Sequence, residues 1–171
     1  MIDVRRLGRV SYEDGLALQA DLVEQRRAGA IPATLLLLEH PPVITLGVKT
    51  RQGPNHIVAT PEELAAHDVA VHETGRGGDV TYHGPGQAVV YALIDLNRRN
   101  IKVRDFVNLL EQAVIDLLAE YSIPAARLHG APGVYVEGSK IAALGLKVKK
   151  AGCYHGISLN VAPDLSHFGG I

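Results

Sequence analysis

The sequence contains no tryptophan, one methionine and one cysteine in 171 residues, and aromatic residues make up only 5% of it. The single Cys153 excludes an internal disulfide and a cysteine-rich zinc centre. Too few aromatics are present for a base-stacking platform. The formal net charge of -1 and a pI near 6.7 leave no basic excess for binding a phosphate backbone, so nucleic acid is not an expected partner. No apolar run is long enough to cross a bilayer; the densest, residues 35–38, is about one helical turn long. The opening Met1-Ile2-Asp3-Val4-Arg5-Arg6 lacks the order of a signal peptide, so the expected location is cytoplasmic, away from membranes. The eight histidines show neither HxH nor HExxH spacing. No metal and no cofactor is expected.

What is present suits one globular domain: 47% apolar and 20% charged residues, with enough length to bury a real core. There is no repeat, low-complexity tract or linker-like break in composition. Residues 11–27 read as a helix capped by Ser11, with Leu16, Ala20 and Val23 at helical spacing. Residues 34–39 read as a buried strand ended by Pro41-Pro42, and 43–46 as a second short strand. Pro61 opens a short helix over 61–67. A strand is predicted over 88–96, with Tyr91 inside it. The clearest helix is 103–121, whose apolar stripe runs through Val103, Phe106, Val107, Leu110, Val114, Leu117 and Leu118. Residues 134–136, 140–149 and 154–161 read as strands joined by glycine turns. Two long helices among many short strands predict an α/β (α+β) domain with a mixed or mostly antiparallel β-sheet flanked by helices.

Three stretches carry candidate chemistry. The first, Arg76-Gly77-Gly78-Asp79-Val80-Thr81-Tyr82-His83-Gly84-Pro85-Gly86-Gln87, is too rich in glycine to be regular throughout. Glycines let the backbone approach a ligand and present N–H donors to it; Arg76 adds a fixed charge and His83 a possible proton carrier. It is not a phosphate loop or a dinucleotide fingerprint, and a hairpin loop with a solvated arginine is the plain alternative. In the second, Ser139 to Lys147, strict alternation puts Lys140 on one face with Ala142, Leu144, Leu146 and Val148. There desolvation would depress its pKa unless an anion met it. The alternative is a lysine at a strand start that snorkels into water, and a bulge at Gly145 would break the alternation. The third, Gly152 to Val161, holds Cys153 and His155. A thiol near a histidine suggests nucleophilic catalysis, but a buried structural cysteine is the commoner case.

Together with Ala131-Pro132-Gly133-Val134-Tyr135-Val136 and Glu39-His40-Pro41-Pro42-Val43-Ile44-Thr45-Leu46-Gly47, these segments resemble the lipoyl(octanoyl) transferase family, in order and over nearly the whole chain. The resemblance implies the fold of the biotin and lipoate protein ligases. It implies that octanoate arrives as a thioester on acyl carrier protein and passes through an enzyme cysteine. The recipient it implies is a lysine of a lipoyl domain of a 2-oxoacid dehydrogenase, or of the glycine-cleavage H protein. The family's catalytic lysine matches Lys140. Its substrate-binding blocks match Arg76, Gly77, Gly78, Asp79, Val80, Thr81, Tyr82 and His83; Ala143, Leu144 and Gly145; and Gly156, Ile157 and Ser158. An octanoyl tunnel lined by residues such as Leu144 and Ile157 would gain about 0.8 kcal/mol per methylene.

In that family the nucleophile lies in a Pro-Cys-Gly turn. Continuing the match places it just beyond Ile171, followed by a helical segment, so residues 1–171 are expected to be a single catalytic domain without its C-terminal segment. Cys153 does not match the nucleophile. Two rivals remain. An ATP-dependent lipoate or biotin ligase would need no cysteine, although the loop beginning Arg76-Gly77-Gly78-Asp79 departs from the biotin-ligase pattern. A noncatalytic module could bind an acidic carrier protein through Arg98, Arg99, Lys102 and Arg104.

Overall fold

A computed structural model describes residues 1–52, 56–149 and 152–171. In chain order the elements are β1 (Ile2–Arg9), α1 (Tyr12–Arg27), β2 (Ala33–Glu39), β3 (Val43–Leu46), α2 (Pro61–Ala66), β4 (Ala70–Glu73), β5 (Val80–His83), β6 (Gln87–Leu93), α3 (Val103–Glu120), β7 (Ala126–Leu128), β8 (Ala131–Val136), β9 (Ser139–Lys149) and β10 (Gly152–Asn160). Seven strands form one sheet in the order β1-β2-β6-β10-β9-β8-β7, and β4-β3-β5 form a second. The large sheet is mixed: β1 runs parallel to β2 and the other pairs are antiparallel. A mixed sheet flanked by helices was legible in the sequence. The separate small sheet was not, and β5 lies inside the glycine-rich stretch.

Local chemistry sets the helix ends. The Ser11 hydroxyl accepts the Asp14 N–H at 3.1 Å and caps α1, an interaction of about 1 kcal/mol. Thr60 and Glu63 cap α2 reciprocally around Pro61 in its first turn. Sequence reasoning found α1 and placed Val23 on its buried face, but not the rest of that face. That face is Tyr12, Gly15, Gln19, Leu22, Val23 and Arg26, whereas Ala20, expected inside, is exposed. The stripe on α3 also needs correction. Phe106, Val114 and Leu118 are buried, but Val103 and Leu117 are exposed, and Glu111 is buried. The Glu111 carboxylate is satisfied there by the Gly133 N–H and the Arg127 guanidinium, both at 2.9 Å. No helix among the described residues is long and apolar enough to cross a membrane.

The two faces of the large sheet follow from its register, because directly paired residues share a face. One row runs Leu36, Tyr91, Gly156, Gly145, and a second runs Leu38, Val89, Ser158, Ala143. Leu36, Leu38, Val89 and Tyr91 pack under Leu22 and Val23 of α1. The rows between them, through Val90, Ile157 and Leu144 and through Leu159, Ala142 and Val134, pack under Val114 and Leu118 of α3. The small sheet lies on the α1 side, where Tyr12 stacks on His83 of β5 and the Gly77 N–H donates to Leu146 of β9 at 2.9 Å.

Candidate active site

The segments predicted to bind substrate converge on the α1 side of the large sheet. Between β4 and β5 the chain folds back over β9, so that Arg76 and Gly77 lie on Gly145. A Cβ at Gly145 would stand 3.0 Å from both the Arg76 Cδ and the Gly77 carbonyl oxygen, tighter than ordinary contact, so a side chain there would press the loop away. Arg76 is buried. Its guanidinium donates to the Thr45 hydroxyl and carbonyl and to the Gly77 carbonyl, at 2.6 to 3.0 Å. Among the described residues it forms no ion pair. A buried cation held only by neutral oxygens is poised to meet negative charge brought from outside.

Tyr12, Tyr91, His83 and His155 surround Arg76. The hydrogen bonds fix two histidine tautomers. The His40 Nδ1–H donates to the Val10 carbonyl at 2.7 Å, so its Nε2 accepts the Tyr91 O–H at 2.6 Å. The Gln87 amide nitrogen donates to Asn160 Oδ1 and the Tyr82 carbonyl, leaving its oxygen to accept His83 Nδ1–H at 2.6 Å. The Gln87 bond places a proton on His83 Nδ1, and burial keeps the ring neutral, so that its lone pair lies on Nε2. Burial drives it down to about 3, helped by the charges of His40, Arg76 and His155 and opposed by the Gln87 bond. Burial also holds His155 at about 4, with Arg76 and Lys147 adding to the effect. The Tyr12 hydroxyl lies beside Thr74, buried without a hydrogen bond of good geometry.

These depressed histidines have a consequence for stability. In the unfolded chain both titrate near 6.5. The unfolded state therefore takes up protons first as pH falls, and stability is full above 6.5 and lost toward 4 and 3. The melting temperature is expected to begin falling below about pH 6.5, before ordinary carboxylates titrate. Calorimetry from pH 7 to 5 checks this, and His83→Gln should flatten the slope. A flat wild-type profile over that range would contradict it.

Lys140 reaches the same face by a route that sequence periodicity does not show. The ladder between β8 and β9 pairs Val134 with Ala142 but Tyr135 with Lys140, so β9 carries one extra residue, Ile141. Ile141 joins Ala142 in the cluster under α3. The bulge turns Lys140 to the opposite face, beside Tyr135, whose ring centroid is 5.4 Å from Nζ. The expected placement of Lys140 with Ala142, Leu144, Leu146 and Val148 is thus overturned. Lys140 is exposed near the start of β9, which bears out the alternative of a lysine that reaches water at a strand start. The expected tunnel also needs correction, because the side chains of Leu144 and Ile157 pack under α3, on the far side of the sheet from Arg76. Their neighbours Ala143, Gly145 and Ser158 face the site.

The remaining candidates divide. Gly78 takes a positive φ of 91° at the loop tip. Asp79 accepts from His56 Nδ1 and from the Val80 N–H, both at 2.9 Å. Thr81 pairs with Thr45. Tyr82 points away from His83, as adjacent strand residues do. It stacks on His167 at 4.8 Å and lines a separate cavity of about 410 Å³ with Ile44, Leu64 and Val69. Sequence reasoning did not single out Tyr12, Gln19, His40, Thr45, Tyr91 or Gln87 as site residues. The polar interruptions Gly15 and Gln19 in the stripe of α1 were the available signal.

A small sheet folding a glycine-rich loop over one face of a larger mixed sheet defines a class. A family model described as the lipoyl protein ligase A/B catalytic domain matches residues 11–171. The fold agrees with a solved lipoate-protein ligase A bound with ATP, at a TM-score of 0.74 and 15% identity, covering 99% of this chain and 71% of that one. It agrees less closely with a biotin acetyl coenzyme A carboxylase synthetase from Helicobacter pylori, at a TM-score of 0.55 and 12% identity over 96% of this chain and 63% of that one. Two curated octanoyltransferases are much nearer in sequence. That of Dechloromonas aromatica (strain RCB) is 50% identical, over 98% of this chain and 78% of its own length. That of Thiobacillus denitrificans (strain ATCC 25259 / T1) is 51% identical, over 98% and 73%. The chain belongs to the octanoyltransferase family.

Proposed function

We propose that the protein transfers an octanoyl group from octanoyl-acyl carrier protein to a lysine of a lipoyl domain, or of glycine-cleavage H protein, through a cysteine thioester. The observation that carries this reading is the bulge at Ile141. It sets an exposed Lys140 on the face that also holds the buried cation Arg76, Ala143, Gly145 and Ser158. The nucleophile is assigned to a cysteine just beyond Ile171. Cys153 does not serve: it is fully buried, and burial pushes its thiol up to about 12, so it carries almost no thiolate at neutral pH.

In the first half-reaction the thiolate attacks the thioester carbonyl. A new C–S bond forms to the enzyme, the C–S bond to the carrier breaks, and the carrier leaves as a thiol with a proton from the Lys140 ammonium. In the second, the recipient's amine attacks the acyl-enzyme. A C–N bond forms, the enzyme C–S bond breaks, and neutral Lys140 takes the amine proton. Arg76 would steady the negative charge gathering on the carbonyl oxygen.

The test mixes the protein with octanoyl-acyl carrier protein and a lipoyl domain, without ATP, followed by intact mass. One octanoyl amide on the recipient, a hydroxylamine-labile adduct on the enzyme and an unimpaired Cys153→Ala variant are expected. Transfer that requires ATP would turn the reading to a ligase, and loss of the adduct in Cys153→Ala would overturn the assignment of the nucleophile.

A further inference from the structure

The Gln19 side chain is 1% exposed and sits on α1, one turn beyond Gly15. An amide so deep loses its water and is kept in place by protein partners. Its Oε1 accepts the backbone N–H of His155, far away in sequence, at 2.7 Å. An N–H can only donate, so this bond fixes which end of the amide faces β10. Nε2 makes no hydrogen bond among the described residues.

His155 is where β10 needs such help. Its φ is 61°, in the left-handed region that a histidine adopts at a cost. The ladder with β6 runs from the pair Asn160–Gln87 to the pair Gly156–Tyr91 and breaks there. It resumes only where the Cys153 N–H donates to Ile94. The His155 N–H thus falls in the gap of the ladder, and Gln19 supplies its acceptor. Immediately after the turn, Gly156 is pressed onto β6, where a Cβ would overlap the Val90 carbonyl. Segment 156–158 then follows in register with Ala143 and Gly145. The His155 ring lies edge-on to Tyr91, with centroids 6.0 Å apart.

We propose that Gln19 is a positioning residue of the candidate active site. It holds His155 in its left-handed turn and, through it, sets segment 156–158 and the His155 ring against the loop that carries Arg76. This rests on the reading of that loop and that segment as substrate-binding. The charged and titratable groups facing the ring are Arg76 from the loop, Lys147 from β9, Tyr91 from β6 and His83 from β5. Gln19 on α1 is uncharged, so its replacement by a neutral residue reports position and not a lost charge.

The experiment compares wild type with Gln19→Met, which keeps length but removes the acceptor, and Gln19→Glu, which keeps an acceptor. Steady-state transfer and NMR titration of the His155 imidazole are measured together. In wild type the ring stays neutral down to about pH 4. In Gln19→Met the titration should move toward 6.5, and kcat should fall roughly tenfold or more with KM little changed. Gln19→Glu should keep kcat within about threefold of wild type, a difference below 1 kcal/mol. If Gln19→Met does not fold, Gln19→Leu, which also lacks the acceptor, carries the same comparison. An unchanged His155 titration in the acceptor-less variant overturns the proposal, whatever kcat does. A shifted titration with full kcat overturns the catalytic part. Wild type that transfers nothing while its His155 still responds to Gln19→Met would sink the transferase reading and leave the Gln19–His155 coupling standing.

Discussion

Replacing Lys140 with alanine is expected to lower kcat for octanoyl transfer by roughly 10²–10⁴-fold, the range for loss of a positioned acid–base group. The melting temperature should hardly move, because Lys140 is exposed and its Nζ lies over the Tyr135 ring without being buried. Lys140→Arg separates two contributions. Arginine keeps the positive charge that favours a thiolate, but it does not give up a proton at neutral pH. The arginine variant should therefore react normally with a thiol alkylator at the nucleophile yet remain slow in transfer. The measurement is kcat for transfer beside the pH dependence of alkylation. A Lys140→Ala enzyme within threefold of wild type would remove Lys140 from the mechanism.

Arg76→Met should lower kcat/KM by roughly 10²–10³-fold, as for loss of one preorganised donor to a developing oxyanion. Its effect on stability should be small by comparison. Among the described residues the buried guanidinium has no ion-pair partner, so its hydrogen bonds to Thr45 and Gly77 offset its own desolvation cost, and burial already holds its pKa below the ordinary arginine value. Arg76→Lys should not restore activity, since a single ammonium cannot span the Thr45 hydroxyl, the Thr45 carbonyl and the Gly77 carbonyl that the guanidinium fork reaches together. Kinetics and thermal melting of the two variants check both halves. Near-normal transfer by Arg76→Met, or a collapse of the fold that accounts for its inactivity, would contradict the assignment.

Much of this site was legible before the structure because its residue types are unusual where they stand. A glycine-rich run after an arginine has few regular conformations open to it, and it indeed forms a loop and a short strand over Gly145. The first two helices were legible from Ser11 and Pro61, which act on backbone only a few residues away. The errors have a common origin in distant contacts. The apolar stripe chosen for α1 passed through Ala20, but the true face buries Gln19 and Arg26. Gln19 bonds to His155, and Arg26 Nη2 lies 3.4 Å from Asp95. Glu111 broke the stripe of α3 for the same reason, being matched by Arg127 and by the Gly133 backbone.

The sequence by itself determined the family, the mixed sheet flanked by helices and the two long helices, because all of these rest on local pattern and composition. Which face each residue serves was decided only in the tertiary structure. A strand reverses its faces wherever one residue is inserted against its neighbour, and whether that happens depends on the partner strand. Ile141 is such an insertion. It moves Lys140 from the α3 core to the face of Arg76, and no periodicity within β9 records it. The depression of His83 and His155 is likewise a tertiary property: it arises from burial and from charges on other elements that the chain brings together only when folded.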